Sequence, residues 1–343
     1  MEFNETGKRL RYCLRVAKRE MVHLNLQVLY RCNFKCGICD FWSSPDFASR
    51  PELTAAQARF MAEKLRPLRP LIVSIGGGEP LLHPEVEEIT KAFSRDHFPV
   101  MITNGWFMTP AKARALFEAG MHEVSVSVDY ADPARHDAQR GIKGAWERAV
   151  SALKMLNENR VKPSQRVHMI TVVMDDNLDD IEALIKLSAE MGITYLVTLY
   201  STGRGRRESR KFSPEVSARL LELKKKYRNF VALRGYLGRF SEAAAAGNSI
   251  HPCYAGINLF NIDSAGNVTR CIDSLDTTAG NILTGRLESI LPRLREFTGK
   301  ESCGGCWTSC RGAIETLLYS SERVGNLVDM RALTRDVPIG SGF

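Results

Sequence analysis

Six short apolar runs, each closed by turn residues, set the strongest limit on what this 343-residue chain can fold into. They fall at 24–30 (LNLQVLY), 71–75 (LIVSI), 99–103 (PVMIT), 123–128 (EVSVSV), 166–173 (RVHMITVV) and 194–200 (TYLVTLY). Helical patterns separate them, at 54–65, 109–120, 144–159 and 177–192. Parallel strands need long crossovers, and a helix is the usual one, so the alternation predicts a parallel βα architecture. Such folds carry their sites at the carboxyl ends of the strands. A chain this long buries a large core and has room for a second, smaller unit.

The residues that follow the first run are YRCNFKCGICDFW, with Cys32, Cys36 and Cys39 inside eight positions. The N-terminal segment has no apolar leader, and no uncharged apolar stretch approaches the ~18 residues of a membrane span, so the expected location is cytoplasmic. In that reducing compartment nine cysteines read as metal ligands or reactive thiols before disulfides. Structural zinc wants four ligands, and the next cysteine, Cys253, lies more than two hundred residues on; a zinc site completed by a distant His or Cys is the plain alternative. A [4Fe–4S] cluster held by three thiolates would leave one iron open to a small molecule. Cys13, alone among basic residues, reads as a bystander.

The C-x3-C-x2-C spacing resembles the signature of the radical SAM superfamily. A second motif agrees with it: LIVSIGGGEPLLHP places Gly77, Gly78, Glu79 and Pro80 after the second run. This stretch looks like the family's GGEP element, which binds the methionine amino group of S-adenosylmethionine (SAM). Glycines allow close backbone approach, and a carboxylate can accept from an ammonium. Asn104 in TNG, and Ser127 and Asp129 in SVDY, also follow strands and match SAM-side elements. HDAQRG (His136, Asp137, Arg140, Gly141) resembles a common continuation, with a capped helix start as the equal alternative for His136 and Asp137; Asn177 reads as the N-cap of a helix. Thr202 to Gly205 looks like the family's turn after the sixth strand. One departure is Ile38, where the family carries an aromatic residue near the adenine; Phe41 and Trp42 follow closely. The resemblance implies a partial (β/α)6 TIM-type barrel over 22–205. It also implies SAM as cofactor, reductive cleavage to a 5′-deoxyadenosyl radical, hydrogen-atom abstraction from a substrate, and an electron donor such as flavodoxin or ferredoxin.

The remaining cysteines gather late in the chain, at Cys253, Cys271, Cys303, Cys306 and Cys310, around a hairpin-like DSAGNVTRC. This region resembles the SPASM/twitch modules of radical SAM enzymes, including Gly280-Asn281-Ile282. Five cysteines cannot ligate two extra clusters. The resemblance therefore implies one auxiliary [4Fe–4S] cluster on Cys253, Cys271, Cys303 and Cys306, with Cys310 as substitute ligand; a zinc ribbon is the alternative by spacing. The expected organisation is a basic amphipathic helix over 1–21, the barrel over 22–205, a helical linker over 206–248, the cluster module over 249–312 and a tail over 313–343.

Net charge is +8, from 47 basic and 39 acidic residues, which favours anionic partners. In the first helix Leu10, Leu14, Ala17 and Met21 share a face expected to pack under the barrel, with peripheral membrane contact as the alternative. No nucleic-acid module is read. The expected substrates are a peptide or protein, or a small molecule. The alternatives are adenosyl-radical addition to a lipid alkene, as in the hopanoid-type group, and a non-catalytic iron–sulfur scaffold or electron carrier. No general base or hydrogen donor stands out.

Overall fold

A computed structural model describes residues 5–201, 213–245, 250, 252–275, 277–298, 306–321, 325–326 and 328–329. The first half runs α1 (Glu5–Ala17), β1 (His23–Leu29), α2 (Pro45–Ala48), α3 (Ala55–Lys64), β2 (Ile72–Gly77), α4 (Val86–Ser94), β3 (Phe98–Thr103), α5 (Pro110–Glu118) and β4 (Glu123–Ser127). It continues through α6 (Pro133–Arg140), α7 (Ala145–Glu158), β5 (Arg166–Val173), α8 (Ile181–Glu190) and β6 (Thr194–Leu199). The second half holds α9 (Val216–Lys226), α10 (Arg234–Gly238), α11 (Phe240–Ala245), β7 (Leu259–Ile262), β8 (Asn267–Thr269), β9 (Thr278–Asn281), α12 (Leu287–Glu296) and α13 (Ser309–Tyr319).

Strands β1 to β6 pair in sequence order, all parallel, as a partial barrel. Side chains alternate across each strand, and the alternation sorts them. Leu24, Leu26, Val73, Ile75, Met101, Val124, Val126, Met169 and Val197 join the core under the helices. Asn25, Gln27, Ser74, Ile102, Ser125, Ser127, Val172 and Thr198 take the concave face. That face is partly open, since Ile102 in a central strand is 44% exposed.

The second unit is continuous with the first. β7 pairs in parallel with β1, and β8 and β9 add antiparallel, so the described sheet has nine strands in the order β6-β5-β4-β3-β2-β1-β7-β8-β9. At the other edge, residues 229–231 bond to Tyr195 and cover β6, which removes an exposed strand edge. The stretch expected as a linker is therefore core: Leu220, Phe230, Leu233, Tyr236 and Phe240 are buried. The boundary expected at 312 falls inside α13, whose Ile314 and Leu318 are buried beside Tyr12 of α1.

Helix α1 does pack beneath the strands, but through Tyr12 and Val16 against Phe98 and Val22. Of the four expected contact residues only Met21 is buried; Leu10 and Leu14 are 64% and 54% exposed, and Ala17 is exposed. Lys8 and Arg15 turn inward because carbonyl groups await them. Lys8 Nζ donates to Ser94 O (2.9 Å), and Arg15 donates to Met21 O (2.9 Å). Long basic side chains bury their stems readily when the charged head finds acceptors.

Candidate functional site

The loop after β1 brings Cys32, Cys36 and Cys39 to the carboxyl mouth of the barrel. The three side chains lie in one apolar cluster with Phe34, Ile38, Trp106, Ile142 and Ala145. Three neighbouring motifs brace this loop, two of them through its backbone. From β2, Gly78 N donates to Leu29 O and Glu79 N to Arg31 O. A Cβ on Gly77 would stand 1.9 Å from Leu29 O, and one on Gly78 would stand 2.0 Å from Arg31 O. The paired glycines thus allow the turn to close against the cysteine loop itself. From β3, Asn104 Nδ2 donates to Asn33 Oδ1 (2.9 Å). From α6, Gln139 O accepts from Gly37 N (2.9 Å), and Gly141, at φ 70°, lies where a Cβ would meet Lys35 O at 2.6 Å.

Glu79 is 1% exposed, and its carboxylate points into the braces. It accepts from Leu81 N (3.0 Å), Thr103 Oγ1 (2.6 Å) and Asn104 N (2.8 Å). Burial pushes its pKa up, against the pull of those three donors. Pro80 is buried in the turn that follows. Asp129 is fully buried, accepts from Val172 N (3.0 Å) and pairs with Arg140 (2.7 Å). The Arg140 guanidinium also lies close enough to Cys36 to pull its thiol pKa down against the upward push of burial, which links the end of β4 to the second cysteine. Ser127 is half-buried on the concave face. Ile38 is half-buried and packs against the Tyr130, Met174 and Tyr200 cluster, whereas Phe41 packs against Tyr30 and Phe47. Trp42 Nε1 donates to Cys36 O (3.1 Å).

The ambiguous residues resolve as scaffold. His136 Nδ1 accepts from Asp129 N (3.1 Å), and Asp137 accepts from Gly144 N and Trp146 N at the start of α7. Asn177 makes no side-chain cap; it bonds Met174 N, Val172 O and Asp129 O, joining the ends of β4 and β5. Cys13 is exposed on α1. Thr202 to Gly205 and Cys303 lie outside the described residues.

The second cysteine group lies where the hairpin and α13 meet the barrel. Ser201 Oγ, just past β6, donates to Asp273 Oδ2 (3.2 Å), two residues after Cys271. Ser309 N donates to Thr198 Oγ1 (3.0 Å) on β6. Arg50, beyond the first cysteine loop, pairs with Asp263 in the β7–β8 turn (2.8 Å). The module therefore spans from β1 to β6 across the open side of the barrel. Cys253 and Cys306 are both near enough to Cys271 for their charges to act on it, and Cys310 acts on Cys306. Thr308 Oγ1 stands 3.2 Å from Cys310 Sγ and 3.8 Å from Cys306 Sγ.

Among the described residues no three His, Cys, Asp or Glu side chains converge on a single metal ion. A four-iron cluster takes its cysteines at separated corners, so the fit rests on shared surroundings. Burial pushes the Cys32 and Cys306 thiols up to about 12, and Cys36 and Cys271 also upward. Grouped, desolvated thiols resist ionisation unless a strong cation joins them, and iron–sulfur ligation supplies one. Both donor sets fit such a group: Cys32, Cys36 and Cys39 at one site, and Cys253, Cys271, Cys306 and Cys310 at the other. Reading the sequence missed Arg140 as a neighbour of the Cys36 thiol and missed Asn33 and Asp273 altogether. Closeness to cysteines along the chain could have flagged Asn33 and Asp273, but Arg140 is far from Cys36 in sequence and gave no such signal.

Residues 26–188 match the family described as the Radical SAM superfamily. This chain carries a radical SAM domain. The chain is similar to the mycofactocin maturase MftC of Mycolicibacterium smegmatis, 28% identical over 313 residues, 84% of this chain and 76% of the maturase. It is also 32% identical over 193 residues to the AdoMet-dependent heme synthase of Methanosarcina barkeri; that match spans 55% of this chain and 54% of the synthase, about half of each. Among solved structures, Streptococcus suis SuiB shares the fold at TM-score 0.66 and 18% identity, covering 96% of this chain and 81% of SuiB. The native anSMEcpe structure with bound AdoMet does so at TM-score 0.63 and 17% identity, covering 90% and 99%. Among the described residues no helix is long and apolar enough to cross a membrane.

Proposed function

We propose that this radical SAM enzyme modifies a peptide, with a second iron–sulfur cluster beside the substrate. The observation that carries the reading is the cysteine-rich unit joined to both edges of the barrel, through β7 on β1 and Ser309 on Thr198. The extended similarity to a maturase supports it, as does the fold shared with SuiB, which has been solved with its precursor peptide SuiA.

In this reading Cys32, Cys36 and Cys39 hold one [4Fe–4S] cluster, and SAM completes it. With SAM bound, that cluster supplies a 5′-deoxyadenosyl radical, which takes a hydrogen atom from the substrate. Gly77, Gly78, Glu79, Pro80, Asn104, Ser127, Asp129 and Ile38 border the SAM site. Glu79 acts chiefly by holding the turn, because its carboxylate already takes three donors. Ile38, with Tyr130 and Tyr200, supplies the apolar wall that an aromatic residue would otherwise give. Cys253, Cys271 and Cys306, with Cys303 or Cys310 as fourth ligand, would hold the auxiliary cluster, which would supply an electron acceptor or an anchor for the substrate. The partly open concave face offers room for a peptide side chain.

The test incubates reconstituted enzyme with SAM, reductant and candidate precursor peptides, read by mass spectrometry. A peptide whose mass changes with matching 5′-deoxyadenosine supports the reading. An adenosylated lipid with no peptide product contradicts it.

A further inference from the structure

Arg311, in the first turn of α13, is 2% exposed. Its guanidinium is a rigid fork of five N–H donors. Nε donates to Glu315 Oε1 (3.0 Å), Nη1 to Cys306 O (2.6 Å), and Nη2 to Pro252 O (3.2 Å) and to Ile250 O. Glu315, 5% exposed, accepts from Tyr254 N (2.8 Å). The ion pair therefore grips Cys253 from both sides, by the carbonyl before it and the amide after it. The same fork holds the carbonyl of Cys306.

Stability alone is a weak reason for this arrangement. A buried ion pair often does no better than well-packed apolar residues of similar volume. Its placement against two thiols gives it another use. A fixed cation in a dry site favours whichever state of a neighbouring cluster carries more negative charge, which is the reduced one. Asp273, beside Cys271 and Cys306, carries the opposite charge.

We propose that Arg311 is a positioning residue of the second metal site: with Glu315 it gathers the Cys253 and Cys306 segments, and its charge raises the reduction potential of the cluster they hold. This rests on the auxiliary-cluster reading above. It makes that cluster easier to reduce than it would be without the cation, which suits an acceptor of electrons from an oxidised substrate.

The test is a redox titration of the full, reconstituted chain, with the reduced clusters followed by electron paramagnetic resonance and iron counted in parallel. Arg311→Gln should lower the equilibrium constant for reducing the auxiliary cluster by about tenfold, or about 59 mV for a one-electron couple, and leave the SAM-binding cluster unmoved. Arg311→Lys keeps the charge but not the fork, so its potential should stay near the parent's while cluster retention falls. Glu315→Gln removes the counter-charge and should shift the potential upward. An unmoved potential in Arg311→Gln overturns the proposal. If that variant fails to fold, an unmoved potential in Glu315→Gln overturns it equally. A parent chain holding about four irons and one signal overturns the auxiliary-cluster reading itself. A parent with about eight irons and variants at parental potential overturns only the role of Arg311.

Discussion

Glu79 shows how a motif residue can matter without pointing at a ligand. Its carboxylate takes three donors from two loops that brace the cysteines. In Glu79→Gln an amide NH2 replaces one of the acceptor oxygens and meets donors. Hydrogen bonds to a charged group contribute roughly 1.5–3 kcal/mol, so this variant should lose stability of that order as well as SAM affinity. Calorimetry of the metal-free chain checks it; unchanged thermal stability with weakened SAM binding would return Glu79 to a purely ligand-facing role. His136 offers a second test. Burial lowers its pKa to about 3, and its Nδ1 must stay unprotonated to accept from Asp129 N. The unfolded chain binds the proton near 6.5, so this contribution is full above 6.5 and is lost as pH falls toward 3. His23 and His97, lowered to about 4 and about 3, act in the same sense. Denaturant midpoints should fall between pH 7 and pH 5, and His136→Gln should fall less steeply than the parent.

At the scale of elements, the cysteine loop is held by β2, β3 and α6, and the braces from β2 and α6 use backbone closeness that a side chain would spoil. Gly78→Ala forces a methyl to within 2.0 Å of Arg31 O. It should cost the chain about half its iron, the half at the first site, and SAM cleavage with it. Iron analysis and circular dichroism together check this, since the barrel should stay folded. The strands were legible to within a residue or two, because buried parallel strands announce themselves as apolar runs. The direction of α1 was not legible. An apolar stripe of period 3.6 tells that one face differs, but not that Ser94 O, His97 O and Met21 O would draw Lys8 and Arg15 inward. Nor was β7 legible as part of the barrel sheet, since four residues give too little pattern to reveal their pairing. The fourth ligand of the second site is an element-scale question too. With Cys303 as ligand, Cys303→Ala should strip that cluster and Cys310→Ala should spare it; the reverse result selects the C-x3-C pair of Cys306 and Cys310.

For the molecule as a whole, the continuous sheet ties both cysteine groups to one scaffold. Arg50 with Asp263, Ser201 with Asp273 and Lys64 with Ile282 O and Gly285 O fasten the second unit to the barrel at separate points. Metal binding at a cysteine site contributes directly to folding free energy. Loss of the auxiliary cluster should therefore loosen the region around β7 to β9 and α13 while the barrel persists, visible as faster amide exchange there. The central claim is that the two groups are separate metal sites on this scaffold and that the first one cleaves SAM. The direct measurement is SAM turnover by the anaerobically reconstituted chain under reductant, read as 5′-deoxyadenosine by mass spectrometry. The parent, with about eight irons, should form it, and the Cys32→Ala, Cys36→Ala, Cys39→Ala triple variant, with about four, should form none. A fully loaded parent that leaves SAM intact, or a triple variant that still cleaves it, would contradict the account.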